Sequence, residues 1–195
     1  MLDRVHRQSV RDRDLIISPD TGFPPHTGLF SNAMSTTLDA DVNLTPINGE
    51  PRPISDWVTV FHLVIVVLDP YTYESSWMID TAGRILRNFV GADCRVSFMV
   101  TASAQEAEEF LGPWTEEFLT FADEDRSVVR ALGLESLPAI VHLDHLLNLR
   151  ASAEGWNPPD WRDFANQLGQ VMSWHPPVIP DTGDPSPFAG TPALG

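Results

Sequence analysis

Residues Phe61 to Leu68, FHLVIVVL, are apolar at every position but His62 and rich in β-branched side chains. A strand with one solvated face alternates apolar and polar residues, so an unbroken apolar run is the pattern of a strand buried on both faces, at the centre of a sheet layered by helices. The longer run from Val58 is interrupted by Thr59 and His62 and falls short of the ~20 residues that a helix needs to cross hydrocarbon. Membrane insertion is not expected.

Helices and strands alternate after this run. From Glu74 to Val90, residues Trp77, Ile79, Ala82, Ile85, Leu86 and Phe89 recur near helical spacing, and Gly91 ends the helix. Arg95 to Thr101 reads as a second strand. Ser103 caps a helix with Glu106 at the capping-box position, running through Ala107 to Leu111 before Gly112-Pro113. Glu117 to Phe121 reads as a short strand and Asp123 to Leu132 as a helix that Gly133 ends. Ala139–Leu143 with Leu147–Ala151 reads as a hairpin, and Pro158 to Trp174 as a closing helix. This βαβ order implies an α/β chain with a central parallel strand. No internal repeat is present.

Composition removes several chemistries. All twelve basic residues are Arg, against twenty-seven acidic ones, for a formal charge of −15. Such a charge repels phosphate backbones, so nucleic acid is not an expected partner. Without lysine there is no Schiff-base, pyridoxal, kinase or phosphate-loop amine. The preference for Arg and Ala also fits a GC-rich coding bias of the actinobacterial kind. The single cysteine, Cys94, rules out an intrachain disulfide and any CxxC pair, and fits a reducing cytoplasm.

The charge divides the chain. Residues 1–33 are net neutral, with Arg4, Arg7, Arg11 and Arg13 interleaved among Asp3, Asp12 and Asp14, and no apolar stretch of a signal peptide follows. Pro19, Gly22, Pro24, Pro25 and Gly28 break regular structure there. Ser31-Asn32-Ala33 resembles a cloning scar or the product of an upstream start, with Met34 as the expected first residue. We divide the chain into a flexible extension (1–33), a lead-in (34–55), a core domain (56–174) and a Pro-rich tail (175–195). The last holds six of the seventeen prolines and cannot order by itself; it reads as a tail or docking strap.

Two segments carry a resemblance. Gly133-Leu134-Glu135-Ser136-Leu137-Pro138-Ala139-Ile140-Val141 resembles the helix end, turn and X-Pro step before a strand that hold the cis-proline of thioredoxin-like proteins. Val66-Val67-Leu68-Asp69-Pro70-Tyr71-Thr72-Tyr73-Glu74-Ser75-Ser76-Trp77-Met78-Ile79 resembles the strand, loop and helix start that hold WCxxC. The resemblance spans roughly Asp56 to Trp174 and includes more sequence between the two motifs than a minimal thioredoxin has, as in peroxiredoxin-type relatives. It implies an α/β, thioredoxin-like three-layer fold, a central mixed β-sheet flanked by helices, with Pro138 as the cis-proline. It also implies that Tyr73, Glu74, Ser75 and Ser76 are the degenerate redox-motif positions, with Tyr73 and Ser76 in the cysteine places. Thr72 replaces the family tryptophan and Val67 the buried acid. With no cysteine between Asp69 and Trp77, dithiol exchange is excluded, and a helix N-terminus cannot by itself make a nucleophile of Tyr73 or Ser76 at neutral pH.

Other candidates weigh less. Cys94 follows Gly91-Ala92-Asp93 at the start of a strand, where a packed structural thiol is the expectation. His142-Leu143-Asp144-His145 offers two imidazoles and a carboxylate, but strand alternation sends His145 to the opposite face, so a turn cluster is expected and no metal site. Glu106, Glu108, Glu109, Glu116, Glu117 and Asp123-Glu124-Asp125 lack a calcium-loop pattern and read as a solvated face. Trp114, Trp156, Trp161 and Trp174 read as core, and Pro158-Pro159-Asp160-Trp161 as a helix start.

The expected function is a redox-inactive binding or assembly module of the cytoplasm that needs no cofactor. Tyr71, Tyr73, Trp77, Leu137 and Pro138 would dock an extended peptide or partner protein by strand addition beside the proline. A thiol-dependent peroxidase or transferase using Cys94 is the enzymatic alternative. The third possibility is an accessory subunit tethered to a larger complex by its Pro-rich tail.

Overall fold

The strand β3 (His62–Leu68) lies in the interior of the sheet, and its side chains divide between two cores. Val64, Val66 and Leu68 enter one, Leu63, Ile65 and Val67 the other, and all six are completely buried. This is why the run needs apolar residues at every position. The computed structural model describes residues 36–195. Expectations for residues 1–33 and for Met34 lie outside the described residues.

The strands β1 (Asn43–Pro46) and β2 (Arg52–Pro53) precede a 3-10 turn at Ile54–Trp57 and β3. Then follow α1 (Tyr73–Asn88), β4 (Cys94–Val100), α2 (Ala104–Leu111), α3 (Trp114–Glu117) and β5 (Leu119–Ala122). The chain continues through α4 (Ser127–Leu132), β6 (Ser136–Leu137), β7 (Ala139–Leu143), β8 (Leu149–Glu154), α5 (Pro158–Met172) and β9 (Thr191–Pro192). Seven strands form one mixed sheet in the order β2-β1-β5-β4-β3-β7-β8. β3, β4 and β5 run parallel, as crossover helices require, while β7 lies antiparallel to β3 and β8 to β7. Helices α1 and α5 cover one face through Met78, Ile85, Leu86, Trp161, Phe164 and Leu168. Helix α4 covers the other through Val128, Val129 and Leu132. The fold is α/β, a central mixed sheet flanked by helices.

Three local outcomes differ from the sequence reading, and a fourth selects between the tail and the docking strap it offered. The lead-in contributes β1 and β2 to the sheet, so the sheet extends upstream of residue 56. Glu117 belongs to the short α3 and not to the strand that follows. Helix α4 begins at Ser127, not Asp123, because the buried Asp123 carboxylate accepts the N–H groups of Val128 and Val129 while Arg126 turns left-handed (φ 55°) ahead of the helix. Residues 176–195 pack along the domain: Ile179 and Ala193 are buried, and β9 pairs with β6. The capping box of Ser103 and Glu106 forms as the sequence indicated.

Candidate functional site

The last ladder pair between β3 and β7 joins Val67 to Ala139. One step beyond it, the loop that begins at Asp69 and the Leu137–Pro138 step leave the sheet side by side. The two resemblance segments therefore meet at one end of the sheet. The Leu137–Pro138 peptide is cis.

The Asp69 loop is organised by its own polar groups. The Asp69 N–H donates to Ser75 Oγ (2.9 Å), the Tyr71 N–H to Asp69 Oδ1 (3.0 Å) and the Thr72 hydroxyl to the Asp69 carbonyl (3.1 Å). These bonds turn the chain into the first turn of α1. The Asp69 carboxylate is buried and paired with the Arg126 guanidinium at 2.8 Å, a charge-assisted contact that links the loop to the start of α4. Asp69 and Arg126 carried no functional assignment in the sequence, since 57 residues separate them; an aspartate that ends a buried strand was the available signal.

The degenerate redox positions hold no activated nucleophile. Tyr73 is 79% exposed, Glu74 is half-buried and Ser75 is buried beneath the loop. The Ser76 hydroxyl donates to the Thr72 carbonyl (3.2 Å) one turn back. The Tyr71 hydroxyl donates to Glu106 Oε1 (2.9 Å), and that bond, with burial, raises the phenol above its usual range. Glu106 is held below the usual carboxylate range, first by the Ser103 hydroxyl and then by Tyr71. Among the described residues no imidazole stands within reach as a base. His62, His142 and His145 cluster at the opposite end of β3, and the His175 carbonyl accepts from Asn88 at the far end of α1.

Cys94 lies in register with His62 at the start of β3, six residues from Leu68, or about 20 Å along the strand from the Asp69 loop. Its thiol is buried and contacts the Phe89 carbonyl at 3.9 Å; burial, then the nearby Asp93, pushes its pKa up to about 12. A thiolate at neutral pH is suppressed there, the reverse of an activated cysteine.

Of the five expected docking residues, three are displayed: Tyr71 (66%), Tyr73 (79%) and Trp77 (55%). The other two require correction, because Leu137 and Pro138 do not line an open surface but are buried. The Leu137 side chain belongs to the core under α4, with Val129, Leu132 and Ala139, and its main chain is covered by the chain's own strand β9, where Thr191 pairs with Leu137 and Pro192 with Ser136. Phe188, just upstream, meets Trp77 edge-on at 5.7 Å between ring centres.

In the His142 segment the expected turn forms, but His145 is not sent to the opposite face, since its ring lies against His62, as that of His142 does, with 5.8 Å between the His145 and His62 ring centres. Asp144 forms a turn by accepting the N–H groups of Leu146 and Asn148, while His62 of β3 joins His142, with Nδ1 and Nε2 2.7 Å apart. Among the described residues no group of three or more His, Cys, Asp or Glu side chains is placed to hold a metal ion. No described helix is long and apolar enough to cross a membrane.

No protein-family profile matches the chain, and no curated protein sequence matches it significantly. Solved structures do. A hypothetical protein from Sinorhizobium meliloti superposes with a TM-score of 0.60 at 12% identity, over 82% of this chain and 93% of its own. Peroxiredoxin Q from Xanthomonas campestris gives 0.55 at 14% identity, over 70% of this chain and 94% of its own. A secreted disulfide oxidoreductase of Mycobacterium tuberculosis gives 0.50 at 12% identity, over 60% and 86%. Likeness at such identities is a likeness of fold.

Proposed function

We propose, from the thioredoxin-like fold of this chain, that it is a redox-inactive protein-binding or assembly module that engages its partner at the tip of α1. The observation that carries this reading is the display of Tyr71, Tyr73 and Trp77 on the loop and first turns where relatives of the fold place reactive thiols. Aromatic side chains combine large apolar area with few rotatable bonds, which is why interfaces use them as anchors. The surroundings support this reading over chemistry at the same place, since among the described residues no base stands beside Tyr73 or Ser76 and the one thiol is buried at the far end of the neighbouring strand. A partner protein fits better than nucleic acid, given the charge of −15. The lone cysteine fits a reducing compartment such as the cytoplasm.

The test joins capture with turnover. The full chain is used as bait alongside a Tyr73→Ala/Trp77→Ala double variant, and a partner retained by the first is expected to be lost by at least tenfold with the second. In parallel, disulfide reduction and peroxide consumption are measured for the wild type and Cys94→Ser. No thiol-dependent turnover is expected in either; a turnover that the wild type shows and Cys94→Ser abolishes overturns the proposal in favour of an enzyme.

A further inference from the structure

Main-chain groups at a strand edge bind another strand wherever they are free to do so. At β6 they are not free. Besides the two ladder pairs, the Ala193 N–H donates to the Glu135 carbonyl (2.8 Å) and the Thr191 hydroxyl to the Leu137 carbonyl (3.3 Å). Arg126, whose Nη2 holds Asp69, donates from Nη1 to the Ala193 carbonyl at 2.6 Å. The Ala193 methyl is buried in the core under α4, and Gly190 (φ 86°) passes so close that a Cβ would lie 2.8 Å from the Leu137 carbonyl oxygen and 3.0 Å from the Gly155 Cα. Backbone of this conformation, with no room for a side chain, selects glycine.

The segment is anchored upstream as well. Phe188 and Trp156 exchange a pair of backbone hydrogen bonds, the Trp156 indole donates to the Pro185 carbonyl (2.8 Å), and Asp184 receives both Arg84 Nη2 and the Thr81 hydroxyl. Apart from Ile179 and Ala193, most side chains of residues 176–195 are exposed or half-buried. Attachment by main chain and a few anchors characterises a segment that can leave without dissolving the sheet.

We propose that residues 188–193 are a resident occupant of a strand-docking groove formed by Ser136–Leu137, Gly155 and Arg126, which admits an extended segment of another protein when this strap swings out. The guest has the strap's own chemistry: a glycine at the close approach, a β-hydroxy residue and a proline along β6, then a small apolar residue whose carbonyl reaches Arg126. This deepens the binding-module reading and rests on it for the guest's biological meaning, while the groove itself can be tested alone.

The probe is a fluorescent peptide of residues 186–195, Ser-Pro-Phe-Ala-Gly-Thr-Pro-Ala-Leu-Gly, titrated against full-length chains by anisotropy. In Gly190→Val the tethered strap cannot seat, so the peptide is expected to bind at least tenfold more tightly than to wild type, and a scrambled peptide is expected not to bind. Should Gly190→Val fail to fold, Asp184→Asn loosens the upstream anchor without touching the groove and is expected to shift affinity in the same direction. Equal affinity for wild type and variants, or no binding to any of them, overturns the proposal. A peptide of residues 189–195, which lacks the Phe188 that meets Trp77, is titrated in parallel; its binding does not draw on Tyr73 or Trp77, so failure here leaves the partner-capture result standing, and loss of partner capture leaves the groove standing.

Discussion

His142 is shut into β7 with 1% of its surface exposed, and its Nε2 lies 2.7 Å from Nδ1 of His62. At that distance one ring donates and the other accepts, so the pair is stable with both imidazoles neutral. Burial first, and the neighbouring His62 second, lower the His142 pKa to about 4, and burial likewise lowers that of His62. In the unfolded chain His142 takes up a proton as pH falls through 6.5, whereas the folded chain resists it down to about 4. The contribution is therefore complete above pH 6.5 and is lost on acidification, by about 3 kcal/mol at pH 4. Denaturant midpoints measured between pH 7 and pH 4.5 are expected to fall steeply for the wild type and less for His142→Gln, which has no proton to gain; parallel slopes would contradict this account. The contact was illegible in the sequence because alternation within residues 142–145 says nothing of a partner on β3. Only the register that sets Val64 opposite His142 brings His62 alongside.

At the scale of elements, what could be read were features carried by neighbours in the chain: the two-faced burial of β3, the stripe of α1 and the capping box of α2. What could not be read depends on groups brought from elsewhere. Gly83 lies within α1, where alanine would gain about 1 kcal/mol of helix propensity. A Cβ there would stand 2.5 Å from the Trp114 ring, which is stacked on Phe118 and overlaid by the Arg87 guanidinium at 4.7 Å. The collision outweighs the propensity. Gly83→Ala is expected to destabilise by about 1–3 kcal/mol in chemical denaturation, as overpacking does. In a Trp114→Leu background the same change is expected to turn neutral or stabilising. A cost that persists without the indole would show that α1 requires glycine for some other reason.

Across the whole molecule, the sheet and its helices were foreseeable from hydrophobic periodicity, whereas the last segment could be read only as either a tail or a docking strap, because a Pro-rich segment with few apolar residues has the composition of a disordered tail. It orders through separated anchors on other elements: Ile179 in the core under α1 and α5, Asp184 on Arg84, and Ala193 at Arg126. This arrangement makes a prediction about additivity. Truncating a buried isoleucine to alanine costs a cooperative domain about 2–5 kcal/mol. A strap that opens separately limits that loss, since no substitution within it can destabilise the rest by more than the free energy of strap docking. Ile179→Ala and Asp184→Asn are thus each expected to lower the melting temperature, and the double variant to fall short of their sum because both approach the same ceiling. Amide exchange locates the effect: in the double variant the Ala193 N–H loses protection while those of β3 keep theirs. Strict additivity, with β3 and Ala193 losing protection together, would mean that the strap and the sheet unfold as one unit, and a guest strand could then reach Ser136–Leu137 only at the expense of the fold.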